Sequence, residues 1–244
     1  GRRSRTRPRD TIFAHIDDSS YADYNRERVK NWSYTKFPCI TSIGQEDGWY
    51  RVGPLARVNN CDFFPTPRAE RERVEFMAVG NGRPVQSTLA FHWARMIELL
   101  HCTEAIAELL DDSDLSGKEL LNKGALQSCG TGVIEAPRGT LFHHYQINDD
   151  GIVEKANLIV ATTNNNQAMN ESIRKVANQY LNGNQLTEPL LNQVEVAIRA
   201  YDPCLSCATH AMGKMPMQIN LVNEKAELID RLEKRVTGDI NRTI

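Results

Sequence analysis

The chain of 244 residues carries 29 Lys+Arg against 31 Asp+Glu, a formal net charge of -2. That near balance excludes a global electrostatic pull toward nucleic acid or an anionic membrane surface. Hydrophobic residues at 41% and charged residues at 25% exclude a wholly disordered, collagen-like or coiled-coil chain, and the length allows a real core in one or two domains.

No stretch approaches the roughly 18–20 apolar residues that a bilayer crossing needs, and the start lacks the apolar block of a secretory signal. The chain as given therefore reads as soluble, without a membrane partner. Its six cysteines (Cys39, Cys61, Cys102, Cys129, Cys204 and Cys207) are sparse, and only the last two are closely spaced. This is unlike a secreted disulfide framework and points to reduced thiols in a cytoplasmic setting.

Residues 1–10 hold five arginines and almost no apolar side chain, which predicts a flexible basic tail. Trp32, Tyr34, Phe37, Trp49 and Tyr50 then sit among Pro38, Gly44, Gly48, Gly53 and Pro54, the pattern of short extended pieces and turns. From Ser87, a candidate cap, Leu89, Trp93, Met96, Ile97, Leu100, Ile106, Leu109 and Leu110 recur at helical intervals, predicting a long amphipathic helix. His92 and His101 lie on it about 180° apart, so one ion could not readily use both.

Thr140 to Ile147 and Ile152 to Val160 read as two strands joined by Asn148-Asp149-Asp150-Gly151, an antiparallel hairpin. If Ile147 opposes Ile152, residue 138 falls opposite residue 161, and Arg138 lands beside Ala161-Thr162-Thr163. Two helices follow. One carries Ala168, Met169, Ile173, Val176, Ala177 and Tyr180 and stops at Asn182-Gly183. The other is capped by Thr187, buries Leu190, Leu191, Val194 and Ile198, and is stopped by Asp202-Pro203. Further on, Met215 to Val222 is β-prone, while Leu228, Ile229, Leu232 and Val236 suggest a helix.

The second of those helices delivers Cys204-Leu205-Ser206-Cys207-Ala208-Thr209-His210 into an irregular segment. Two thiols at Cys-x-x-Cys spacing, with a histidine three residues later, can curl around a metal. The same spacing also serves a redox pair or half of a zinc site. The other four cysteines offer no second pair, and a redox motif normally starts a helix after a strand, so both generic readings are weakened.

The run Ala197 through His210 resembles the C-terminal signature of the large subunit of nickel-iron hydrogenases, especially the cytoplasmic NAD(P)-linked bidirectional group. The likeness extends to Trp32 through Pro38, Tyr50 through Arg57, Glu135 through Tyr145 and Asn157 through Thr163. It implies a mainly helical α+β fold, the C-terminal half of that large subunit over residues 11–210, with long helices and a small antiparallel hairpin. It also implies a nickel and an iron bridged by cysteine sulfurs, with carbon monoxide and cyanide on the iron. On this likeness Cys204 is a terminal nickel ligand, Cys207 bridges nickel and iron, and His210 belongs to a magnesium site. Arg138 would lie over the open face of the metals, Asp202 would hold Arg138, and Thr162 would donate to an iron-bound cyanide. His143 and His144 alternate across a strand, so only one could face the site, and a hydrogen bond within the core is the expectation for either. Glu135 is expected in an ion pair rather than a proton route.

The chain departs from the family pattern in lacking the N-terminal Arg-x-Cys-x-x-Cys pair and its associated glutamate. It is then a fragment, one part of a split subunit or a degenerate copy, and two thiolates alone are not expected to turn over hydrogen. Residues 211–244 read as an extension that a maturation endopeptidase removes between His210 and Ala211. The implied partners are an iron-sulfur small subunit, flavin-containing diaphorase subunits and an N-terminal half. No Gly-rich dinucleotide fingerprint occurs in this chain. A metal-free relative of the quinone-module subunit of respiratory complex I and a zinc-binding structural module are the alternatives.

Overall fold

The computed structural model describes residues 16–122, 124–183, 185–205, 217–235, 237 and 239–243. The expected basic tail, Cys207, His210 and the expected cleavage point lie outside these residues.

The described chain alternates small antiparallel sheets with helices. A one-turn helix α1 (Tyr21–Tyr24) leads into the paired strands β1 (Asn25–Lys30) and β2 (Ser33–Ile40). Three helices follow: α2 (Pro54–Asn60), α3 (Pro67–Val79) and α4 (Ala90–Leu110). Strands β3 (Cys129–Ala136), β4 (Gly139–Ile147) and β5 (Val153–Ile159) form a meander. Helices α5 (Ala161–Asn164), α6 (Asn166–Tyr180) and α7 (Glu188–Ala200) come next. A second meander closes the chain with β6 (Met217–Val222), β7 (Leu228–Lys234) and β8 (Ile240–Thr243). The fold thus has three antiparallel sheets among the described residues rather than a single hairpin. No described helix is long and apolar enough to cross a membrane.

The main core joins Leu55 and Val58 of α2, Phe76 of α3, Phe91, Ala94 and Ile97 of α4, Met169 of α6 and Tyr201 after α7. Phe91 and Tyr201 stack at a ring separation of 4.7 Å. Helix α7 begins as its sequence predicts, with the Thr187 hydroxyl accepting the Leu190 N–H at 3.3 Å. Helix α4 starts later than predicted. Ser87 does not cap it through its side chain; its carbonyl accepts the Ala90 N–H at 3.1 Å in a tight turn. The expected apolar stripe is also largely open, since Leu89, Trp93, Met96, Ile106, Leu109 and Leu110 are exposed while Phe91, Ala94 and Ile97 are buried. A helix that is apolar on more than one side calls for more covering than the described residues supply.

The expected hairpin is the second half of the first meander. Its register differs from the expected one by two over residues 142–146, with Phe142 opposite Ile159, and by one at Ile147, which lies opposite Val153. The causes are local. Asn148 pairs with Ile152 across a three-residue loop whose Gly151 takes φ 77, and a bulge follows at Gln146/Ile147. A slip of two preserves the faces, but it moves Arg138 out of the strand pairing. Arg138 instead occupies a two-residue turn between β3 and β4, where Ala136 opposes Gly139.

The helix predicted over 228–236 is strand β7. Leu228, Ile229 and Leu232 fit a helical spacing, yet burial alternates, with Asp230 and Leu232 inside. Leu232 packs on Leu186, Leu190 and Val194, joined by Ile219, Leu221 and Ile240.

Candidate metal centre

The end of α7 is shaped by main-chain chemistry. Asp202 donates its N–H to the Arg199 carbonyl at 3.0 Å and takes φ 49, a left-handed conformation that costs a non-glycine residue about 1 kcal/mol. Pro203 prevents further helix, and Cys204 follows at once. The Cys204 N–H donates to Thr162 Oγ1 at 3.1 Å. Thr162 lies on α5, buried. It therefore fixes the main chain of Cys204 and keeps its own hydroxyl proton for a further acceptor.

Above this point, Arg138 Nε donates to the Asp202 carbonyl at 2.8 Å and approaches Asp202 Oδ2 at 3.2 Å. The two side chains are 46% and 48% exposed. A pair so open to water adds little stability; its consequence is direction, since it ties a guanidinium to the residue that introduces Cys204. Gly53, at φ 93, fits against the same turn because a Cβ there would lie 2.7 Å from the Arg138 carbonyl oxygen. Gly139 is constrained in return, as its Cβ would overlap the Val52 side chain. An open cleft of about 1330 Å³ adjoins the corner, with Tyr50, Arg57, Glu98, Pro137 and Asp202 in its wall.

The scaffold under the corner comes from residues that carry no obvious chemistry in the sequence. Asn164, Asn165 and Asn166, all buried, extend the Thr162-Thr163 run. Asn164 donates to the Thr140 carbonyl at 2.8 Å and accepts from the Tyr50 hydroxyl at 2.5 Å. Asn165 accepts the Val52 N–H at 2.9 Å and faces the Val52 carbonyl at 3.4 Å. Asn166 donates to the Lys36 carbonyl at 2.9 Å. The available signal was the run itself: five small polar residues between an apolar strand and an amphipathic helix, where solvent-facing residues would not need to be so uniform. Burial raises the Tyr50 phenol far above its ordinary pKa, so it remains a hydrogen-bond donor.

Arg57 is a second residue not singled out. Its Nε and Nη2 each donate at 2.6 Å to Glu98, one to each carboxylate oxygen. Burial works against its charge, but the hydrogen bonds and charge of Glu98, then of Glu135, raise its pKa. Glu135 thus sits in an ion pair, 3.1 Å from Arg57 Nη1, and accepts from the Thr140 hydroxyl. The four described histidines have partners of their own, His92 facing Arg95 Nη1 at 3.4 Å. His144 pairs with the Tyr21 hydroxyl and Cys129 Sγ, each at 3.3 Å; His143 pairs with the Tyr145 hydroxyl at 2.9 Å; His101 pairs with Thr66 Oγ1 at 2.9 Å.

Among the described residues no group of three or more His, Cys, Asp or Glu side chains is placed to hold a metal ion. Cys204 is disulfide-bonded, against the expectation of reduced thiols. A sulfur so bonded offers no thiolate, so any metal there requires the reduced form. In that form the donor chemistry suits a soft metal: a thiolate whose main chain is pinned by a buried hydroxyl, with a cationic donor on the same corner. The described residues therefore fit one edge of a thiolate-bound metal site.

A family model described as nickel-dependent hydrogenase matches residues 9–210. The beta chain of the NAD-reducing hydrogenase HoxS from Cupriavidus necator is 47% identical over 223 residues, covering 90% of this chain and 46% of that protein. An F420-non-reducing hydrogenase subunit from Methanothermobacter thermautotrophicus is 42% identical over 227 residues, covering 91% of this chain and 48% of that protein. Among solved structures, an NAD+-reducing [NiFe]-hydrogenase in the H2-reduced state superposes with a TM-score of 0.78 at 52% identity, over 82% of this chain and 44% of its own. A [NiFeSe]-hydrogenase from Dm. baculatum superposes with a TM-score of 0.51 at 28% identity, over 73% of this chain and 37% of its own. The chain spans about half the length of the curated relatives it matches.

Proposed function

The chain belongs to the nickel-dependent hydrogenase family, and from that premise we propose that it is the C-terminal half of a nickel-iron hydrogenase large subunit. Its assembly would oxidise dihydrogen or reduce protons, coupled to NAD(P) through partner subunits. The observation that carries this reading is the corner in which Thr162 holds the Cys204 main chain while Arg138 is tied to Asp202.

Cys204 and Cys207, reduced, would supply a terminal nickel thiolate and a nickel-iron bridge. His210 would serve a magnesium site, and the missing half would supply the remaining sulfurs. The bimetallic group, with carbon monoxide and cyanide on its iron, supplies heterolytic splitting of dihydrogen when bound. This chain's own contributions are positional and electrostatic. Arg138, tied to Asp202, would hold its guanidinium at the corner from which Cys204 departs. Asp202 accepts from Arg138 and limits its rotation. Thr162, with one lone pair engaged by the Cys204 N–H, would have its proton available for an anionic ligand of the iron.

Electrons would leave through an iron-sulfur small subunit, since this chain's few cysteines cannot wire a relay, and reach NAD(P) through flavin diaphorase subunits. The exposed apolar face of α4 supports a missing N-terminal half as cover. We assign the assembly to the cytoplasm on its sparse cysteines, and residues 211–244 to an extension removed by an endopeptidase on maturation.

The test is co-expression with a complementary half bearing the absent cysteine pair, together with the partner subunits. Nickel and iron should copurify, infrared carbonyl and cyanide bands should appear, and H2 should reduce a dye. Cys204→Ser should abolish nickel loading. Zinc alone in the purified assembly, or nickel retained by Cys204→Ser, would sink the proposal.

A further inference from the structure

The turn that carries Arg138 is gripped by a side chain from another element. Arg57, near the end of α2, uses all five of its N–H donors. Three go to carboxylates: Nε and Nη2 to Glu98 at 2.6 Å each, and Nη1 to Glu135 at 3.1 Å. The other two go to main-chain carbonyls, Nη1 to Ala136 at 2.9 Å and Nη2 to Pro137 at 2.9 Å. Those are the two residues immediately before Arg138.

The geometry is one of alignment. Glu98, on α4, holds the guanidinium as a bidentate fork, which fixes its plane. The same guanidinium then donates from Nη1 and Nη2 to consecutive carbonyls, that of Ala136 at the end of β3 and that of Pro137 in the turn. The turn is also pressed from its other side by Val52-Gly53, whose main chain is held by Asn165. Among the described residues Arg138 is also tied to Asp202, through its carbonyl at 2.8 Å and its carboxylate at 3.2 Å, with both side chains half-exposed, and a pair so open to water adds little rigidity of its own. Arg138 is thus directed jointly by its tie to Asp202 and by the turn that carries it, and Arg57 grips that turn.

We propose that Arg57, anchored by Glu98, is a positioning residue for Arg138: it locks the Ala136-Pro137 carbonyls so that the Arg138 guanidinium stays fixed on the Asp202-Cys204 corner. This rests on the reading of Arg138 as the cation over the metal site.

Two measurements test it. Hydrogen exchange on the 244-residue chain reads the clamp without any metal. Arg57→Met should accelerate exchange across residues 136–140 by about 10-fold or more, while α6 and α7 remain protected. In the assembled enzyme Arg57→Met should lower kcat for H2 oxidation about 100-fold, the scale of a misplaced reacting group. Nickel and iron content should be unchanged, and KM for H2 should stay within about twofold. Arg57→Lys should restore little, because an ammonium cannot bridge both carboxylate oxygens and both carbonyls.

A cycle with Arg138→Lys supplies the coupling: if Arg57 acts through Arg138, the double variant is no slower than Arg138→Lys alone. Should Arg57→Met prove unstable, Glu98→Gln loosens the same fork with milder loss, and the same cycle applies to it. Additive losses in the cycle, or unchanged exchange at residues 136–140, overturn the proposal while leaving a nickel-loaded wild type, and so the functional reading, intact. A wild-type assembly that loads no nickel overturns the functional reading and the Arg138 role with it.

Discussion

The two ends of α7 are held by different physics. At its C-terminal end, the corner containing Arg138, Asp202 and Cys204 is fixed by hydrogen bonds to main-chain groups from Thr162, Asn164, Asn165 and Arg57. At its N-terminal half, strand β7 packs Leu232 against Leu186, Leu190 and Val194, and buried Asp230 accepts the Leu186 N–H at 2.7 Å. Directional bonds set angles and tolerate little displacement, whereas apolar contact supplies affinity with little angular demand. The corner is accordingly built for placement and the C-terminal sheet for attachment. The segment we propose to be removed thus grips the helix away from the end that delivers Cys204.

The largest effect is expected where a directional bond is lost without a change in size. Asn165→Leu leaves both the Val52 N–H and its carbonyl without their buried partner. Each such group costs about 1–3 kcal/mol, so the full chain should lose about 3 kcal/mol of stability in a denaturant titration. Exchange at Val52 and Gly53 should rise most. A loss below about 1 kcal/mol would mean that the corner is held by packing instead.

Leu232→Ala attacks the other side. Truncating a buried leucine costs about 2–5 kcal/mol, and here the lower part of that range is expected because the small sheet can settle. The loss should appear as faster exchange in β7 and in residues 186–194, with residues 136–140 unchanged. Coupled exchange at both ends of α7 would show that attachment and placement are one cooperative unit.

The sequence revealed these two regions unequally. Helices α6 and α7 were legible because each carries one apolar face, joined in α7 by the Thr187 hydroxyl cap. Helix α4 was legible as a helix, but its buried face was not, since its apolar residues surround more than one side. Strand β3 was hidden by Gly130 and Gly132, which dilute a strand pattern. Strand β7 was hidden by a buried aspartate at the point where alternation would have shown. In the corner, Arg138, Asp202 and Thr162 came from family likeness, and the structure brings them around the start of the cysteine segment. Arg57 and Asn164 to Asn166 escaped because their partners, main-chain groups and side chains alike, lie far away in sequence and leave no local pattern.

The smallest effect concerns the attachment side and its response to pH. Glu195, on α7, accepts from Lys234 of β7 at 2.5 Å and from Arg199. The Lys234 hydrogen bond first, then Arg199, lowers its pKa, overriding the opposing effect of burial. A carboxylate with a depressed folded pKa stabilises the folded form at every pH above its unfolded value of about 4.3, and that contribution fades as pH falls through the lower folded pKa. Docking of β7 should therefore be flat from neutral pH to about pH 5 and weaken below it. A partly exposed pair of this kind contributes about 0.5 kcal/mol, so the change should be visible in β7 exchange and not in global unfolding. Glu195→Gln should remove the acid-side slope and leave neutral-pH exchange in residues 136–140 unaltered. If the slope survives in that variant, Glu195 is not the group that weakens the docking of β7.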